Sequence, residues 1–105
     1  MIKSIAARHG AIITMEIEEP ELREGHVLIR TEYSAISPGT ELSMAKRSKE
    51  RAVAVGLGYS AVGIVEQAAP DVIGLVPGQR VACYGAPYVR HAELLCVPSN
   101  LRSLV

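Results

Sequence analysis

The chain has 105 residues, enough for one domain and too few for a two-domain enzyme. Apolar residues make up 49% and charged residues 21%, the balance of a folded chain rather than a disordered one. Eleven basic residues offset eleven acidic ones, so no net charge draws the chain to a phosphate backbone, and nucleic acid is not an expected partner.

Ile2 to Ala7 reads as a short strand. The turn signal His9-Gly10 leads to a second strand, Ala11 to Glu18, and the two make a hairpin. Alternation through Ile13-Thr14-Met15-Glu16-Ile17-Glu18 marks a half-buried strand. Glu19 to Gly25 is a polar loop. His26 to Ile36 is the longest predicted strand, with Val27, Ile29, Thr31 and Tyr33 on one face. Ser37-Pro38-Gly39 breaks it. Thr40 to Lys49 is the best helix candidate, capped by Thr40 or Ser37. Ser48 to Arg51 is expected as a charged, exposed connection. Tyr59 to Gln67, Arg80 to Tyr84 and Glu93 to Val97 read as further strands, and Pro77-Gly78 as a turn. The chain is therefore predicted to be mainly β, a small barrel or sandwich with one short helix. Lacking Phe and Trp, its core must be built from branched aliphatics and alanine.

The longest uncharged stretch, Ala52 to Val65, is shorter than the roughly 20 residues a bilayer span requires. The opening Met1-Ile2-Lys3-Ser4-Ile5 lacks the apolar run of a secretion signal, so no membrane association and a cytoplasmic location are expected. Cys83 and Cys96 are too few for a disulfide framework and are expected as reduced, buried thiols.

Gly56-Leu57-Gly58-Tyr59-Ser60-Ala61 fits the looser glycine-rich dinucleotide fingerprint. The adjoining segment, Ala61-Val62-Gly63-Ile64-Val65, is poor helix material, and no acidic residue ends a strand about 20 residues on. This context argues against a dinucleotide site. Cys83, His91 and Cys96 could be metal ligands, but no fourth ligand stands at a recognised spacing, and His91 is expected at the surface. Ser37, Ser60 and Cys83 are conceivable nucleophiles with His91 as base, yet none sits in a nucleophile-elbow pattern.

From Ser34-Ala35-Ile36-Ser37-Pro38-Gly39-Thr40-Glu41-Leu42 onward the sequence resembles the catalytic domain of medium-chain dehydrogenases/reductases, the zinc-type alcohol dehydrogenase superfamily. Gly25-His26-Val27-Leu28-Ile29-Arg30, Gly58 to Val65, Pro77-Gly78-Gln79-Arg80-Val81, and His91-Ala92-Glu93 with Cys96-Val97-Pro98 resemble further family segments in the same order. The resemblance implies a GroES-like fold over residues 1–105, a partly open β-barrel with one or two short helices. It also implies an NAD(P)-binding Rossmann domain, absent from this chain, as its partner in the full-length enzyme.

Three positions depart from the family pattern. Where zinc enzymes carry ligand Cys and His, this chain has Ser37 and Tyr59, with Ser60 in place of the glutamate. A hydroxyl and a phenol do not replace thiolate and imidazole, so no metal is expected. The pattern is similar to a zinc-free branch that includes bacteriochlorophyllide dehydrogenases and threonine-dehydrogenase-like sequences. Thr40 matches the family's proton-relay hydroxyl, although a plain helix cap is the favoured account of it. Glu41 matches an acidic position that supports the zinc shell; without zinc, stabilisation of the first helical turn is the simpler account. The resemblance implies that Ser37, Glu41, Tyr59, Ser60 and Tyr84 line the substrate cleft.

By this reading the chain is the substrate-side domain of an NAD(P)-dependent oxidoreductase of small molecules, binding no cofactor itself and inactive alone. The alternative is a stand-alone, co-chaperonin-like binding or assembly module. That class displays a long glycine-rich mobile loop, whereas Glu18 to Gly25 is short and acidic. Without its partner domain the chain is expected to expose an apolar patch around Leu57, Tyr59 and the Leu94-Leu95 to Leu104 end. Such a patch favours a homo-oligomer.

Overall fold

A computed structural model describes residues 1–50, 54–85 and 87–105. Strands β1 (Ile2–Arg8) and β2 (Ala11–Ile17) form the expected hairpin, in register from Ile2↔Ile17 to Arg8↔Ala11. Its two-residue turn has positive φ at both His9 (48°) and Gly10 (82°), the pattern whose twist matches paired strands. Strand β3 (His26–Ser34) leads to helix α1 (Pro38–Arg47) and a short 3-10 turn, Ser48–Glu50. Then come β4 (Val55–Gly56), β5 (Ser60–Ala68), β6 (Arg80–Tyr84), β7 (Leu94–Pro98), a second 3-10 turn (Ser99–Leu101) and β8 (Arg102–Leu104).

These strands make two antiparallel sheets, ordered β2-β1-β4 and β7-β3-β5-β6-β8. The segment before β7 joins them. The Ile5 amide donates to the His91 carbonyl (2.8 Å), and Ser4 bridges to Ala92. The result is a β framework that curls without closing, a GroES-like partly open barrel. Val27, Ile29, Val65, Val81, Val89 and Val97 are buried at its centre, an aliphatic core as the composition requires. A smaller cluster of Ala7, Ala45 and Leu57 seats α1 on β1. On the surface, Glu66 and Glu32 pair with Arg30 and Arg80 and raise the pKa of both guanidinium groups.

Several expectations need correction. The alternation in β3 fails at its end. Register shifts on passing from Thr31 to Tyr33, and this bulge turns Tyr33 out to 75% exposure while Ser34 swings inward. The helix starts at Pro38, two positions before Thr40, because proline suits the first helical turn. Thr40 is therefore inside α1 and is no cap. Ser37 holds the cap position, but its side chain makes no capping bond. Ser48 is fully buried rather than exposed: its hydroxyl donates to the Ala45 carbonyl (2.6 Å) and accepts from the Gly10 amide (2.9 Å). Arg51, in the same predicted connection, lies outside the described residues. The predicted apolar patch does not form, since Leu57, Leu94 and Leu95 are all buried in the chain's own cores and only Leu104 is exposed. Gly56 ends β4 while Ser60 and Ala61 open β5, so the glycine-rich stretch meets no helix N-terminus.

Candidate functional site

Three predicted residues from distant parts of the chain meet in one cleft of about 540 Å³: Thr40, Tyr59 and Tyr84. Thr40 projects from the first turn of α1, Tyr59 from the turn before β5, and Tyr84 from the end of β6. The Gly85 amide donates to the Tyr59 carbonyl (2.8 Å), holding that turn against the end of β6. The two tyrosine rings pack edge to face, with centroids 5.4 Å apart and planes at 89°. Met44, Val55 and Val89 supply apolar wall, and Arg90 enters the same cleft. Ser37 stands beside it, its hydroxyl donating to Thr40 Oγ1 at 3.3 Å. Two hydroxyls in series at a helix start can pass a proton between a bound oxygen and solvent.

The other predicted residues lie elsewhere. Ser60 faces a neighbouring groove of about 620 Å³ together with Cys83 and Leu101, and Tyr84 borders both spaces. Burial pushes the Cys83 thiol up to about 11, opposed only in part by its bond to the Ala61 carbonyl. At neutral pH it stays protonated and is a poor nucleophile. Cys96 is no neighbour of Cys83: strands β3 and β5 stand between β7 and β6. No group of three or more His, Cys, Asp or Glu side chains suited to a metal occurs among the described residues.

Glu41 departs most from expectation. It points away from the cleft and is buried, with its side chain 8% exposed. One carboxylate oxygen pairs with Nε2 of His91, and the other accepts the Ser37 amide (2.7 Å). His91, expected at the surface as a base for Ser37, Ser60 or Cys83, has its side chain 9% exposed, and its ring nitrogens meet Ser34 and Glu41 instead. Its Nδ1 meets Ser34 Oγ at 2.7 Å. Ser34, His91 and Glu41 thus tie β3, the segment before β7 and the start of α1 together behind the cleft. Gly58 makes room for the ring: with φ of +99°, any Cβ there would fall 2.7 Å from the His91 amide nitrogen and 2.9 Å from its ring. This clamp fixes the turn from which Ser37 and Thr40 project. The one signal in the sequence that could have found it is a histidine and a glutamate that both flank apolar residues.

Residues 23–101 match the family model for the alcohol dehydrogenase GroES-like domain. No curated protein matches the sequence significantly. Among solved structures, the quinone oxidoreductase of Coxiella burnetii is similar at TM-score 0.80 and 20% identity, over 98% of this chain and 36% of its own. Galactitol-1-phosphate dehydrogenase of Escherichia coli is similar at TM-score 0.81 and 18% identity, over 98% of this chain and 38% of its own. A mycobacterial protein solved in complex with NADPH is similar at TM-score 0.74 and 21% identity, over 100% of this chain and 32% of its own. The chain thus spans about a third of the length of each of these neighbours.

Proposed function

Since the chain belongs to the alcohol dehydrogenase GroES-like domain family, we propose that it forms the substrate-side wall of an NAD(P)-dependent medium-chain oxidoreductase that works without catalytic zinc. The observation that carries this reading is the convergence of Thr40, Tyr59 and Tyr84, with Ser37 behind, on one cleft. A reduced nicotinamide, which a partner domain rather than this chain would hold, would be the source of hydride for a carbonyl or alkene carbon. This chain's residues do the rest. The Thr40 hydroxyl holds the substrate oxygen and donates the proton that balances hydride addition, and the Ser37 hydroxyl replenishes Thr40. Tyr59, Tyr84, Met44 and Val89 shape the pocket and displace water from the reacting carbon.

Zinc does not fit the donor set. Tyr59 is engaged edge to face with Tyr84, Ser37 donates to Thr40, and neither offers thiolate or imidazole. Glu41, the remaining candidate, is turned away and held by His91.

The test is NADPH and NADH oxidation against a panel of quinones, aldehydes and enones. The 105-residue chain alone is expected to show none, and the same chain covalently joined to its nucleotide-binding domain is expected to turn over. In that joined enzyme Thr40→Val should lower kcat about 100-fold, with Thr40→Ser near the original, the usual scale for a lost general acid. Turnover by the isolated chain, an unaffected Thr40→Val, or stoichiometric zinc in the active enzyme would each sink the reading.

A further inference from the structure

Arg90 has no place in the chemistry above, yet it is the one charged side chain lining the cleft among the described residues. We propose that Arg90 is the anion-recognition residue of this site and that the substrate carries a carboxylate. The inference rests on the cleft being the substrate site.

Four observations support it. First, Arg90 forms no ion pair with any described residue, while Arg30 and Arg80 are both paired. Second, its guanidinium is placed rather than free. One NH2 donates to the Pro87 carbonyl at 3.2 Å, and the group lies against Gly56, where a Cβ would fall 3.3 Å from NH1 and 3.4 Å from Cζ. Third, that carbonyl engages only one nitrogen of a five-donor fork built for bidentate binding. Fourth, the rest of the cleft is neutral among the described residues, with hydroxyls on Thr40, Tyr59 and Tyr84 and apolar side chains between them. A single cation with low-dielectric walls and no competing anion concentrates negative ligands. Arg90 also borders a second groove, where Glu18 and Arg23 offset each other in sign.

One planar guanidinium matches the charge and geometry of one carboxylate. A phosphate carries nearly two charges and would need a second cation, and none lines the cleft among the described residues. The substrate class is thus a small, partly apolar oxo-carboxylic acid, its ketone or enone oxygen separate from the acid group. Its acid group is anchored on Arg90 while its reacting oxygen reaches Thr40.

The test uses the 105-residue chain labelled with ¹⁵N and a matched pair of probes, benzoate and its neutral isostere benzamide. Amide shifts of Tyr59 and Gly58, and the Arg90 Nε–H resonance, are followed in titration. Benzoate is expected to bind at least about 10-fold more tightly than benzamide, the scale of one charge-assisted hydrogen bond. Arg90→Gln should abolish the difference, and Arg90→Lys should keep part of it. Equal binding, binding of neither probe, shifts centred away from the cleft, or a preference surviving in Arg90→Gln would overturn the assignment. No turnover is measured, so a failed oxidation assay leaves this result standing, and loss of the anion preference leaves the oxidoreductase reading standing.

Discussion

Replacing His91 by alanine tests the clamp behind the cleft. The change removes the imidazole from between Glu41 and Ser34, side chains held at 8% exposure for Glu41 and 9% for His91 itself. Removing one partner of a buried hydrogen bond costs about 1–3 kcal/mol, and more when the group left behind is charged, because that group is left unsatisfied. Here Glu41 keeps one bond, to the Ser37 amide, and it borders a cavity of about 510 Å³ that can admit water. The expected loss is therefore about 2–4 kcal/mol, from a total of roughly 5–15 kcal/mol for a domain of this size. At about 4–8 °C per kcal/mol, Tm should fall by some 10–30 °C in a circular dichroism melt. Glu41→Ala should cost a similar amount. The double variant should cost clearly less than the sum of the two, with a coupling of about 1 kcal/mol or more. A loss below about 1 kcal/mol, or strict additivity, would show that the two side chains are independently solvated and hold nothing in place.

Three further outcomes are expected. Gly63→Ala should cost about 3 kcal/mol or more in urea unfolding. Its Cβ would fall 2.4 Å from the Arg30 carbonyl oxygen and 2.7 Å from Ile29 Cγ2, and backbone in the central β3–β5 pair cannot move aside cheaply. Gly58→Ala combines positive φ with a clash against the His91 amide and should cost about 2–4 kcal/mol, seen as a lowered Tm. The Cys83 thiol rises from 9.0 unfolded to about 11 folded, so the native state holds its proton more tightly. Its contribution is complete below about pH 9 and lost as pH climbs toward 11, so the urea midpoint should drop across that window by more than in Cys83→Ala.

Much of the framework could be read from the residues. The His9-Gly10 turn, the alternation in β2 and the Pro77-Gly78 turn are local signals, set by backbone preferences that need no distant partner. Strand β4 could not be read this way. It is two residues long and exists only because β1 offers it an edge at Ala6 and Ala7. The bulge in β3 was hidden for a related reason: alternation predicts a face only while the pairing register is unbroken, and the partner strand decides where it breaks. The cleft was partly legible, through the resemblance that singled out Thr40, Tyr59 and Tyr84. Ser34, His91 and Glu41 were not assembled. A contact between residues 34, 41 and 91 leaves no periodicity along the chain, and a buried histidine reads like an exposed one until its partners are known.

Strand β8 has three residues, paired to β6 through Val81↔Leu104, Ala82↔Ser103 and Cys83↔Arg102. This short ribbon acts as a selvedge for the larger sheet. Were it trimmed away, β6 would present a bare row of amides and carbonyls to any passing chain. The harm would then register as clumping of otherwise folded molecules rather than as a lower melting point.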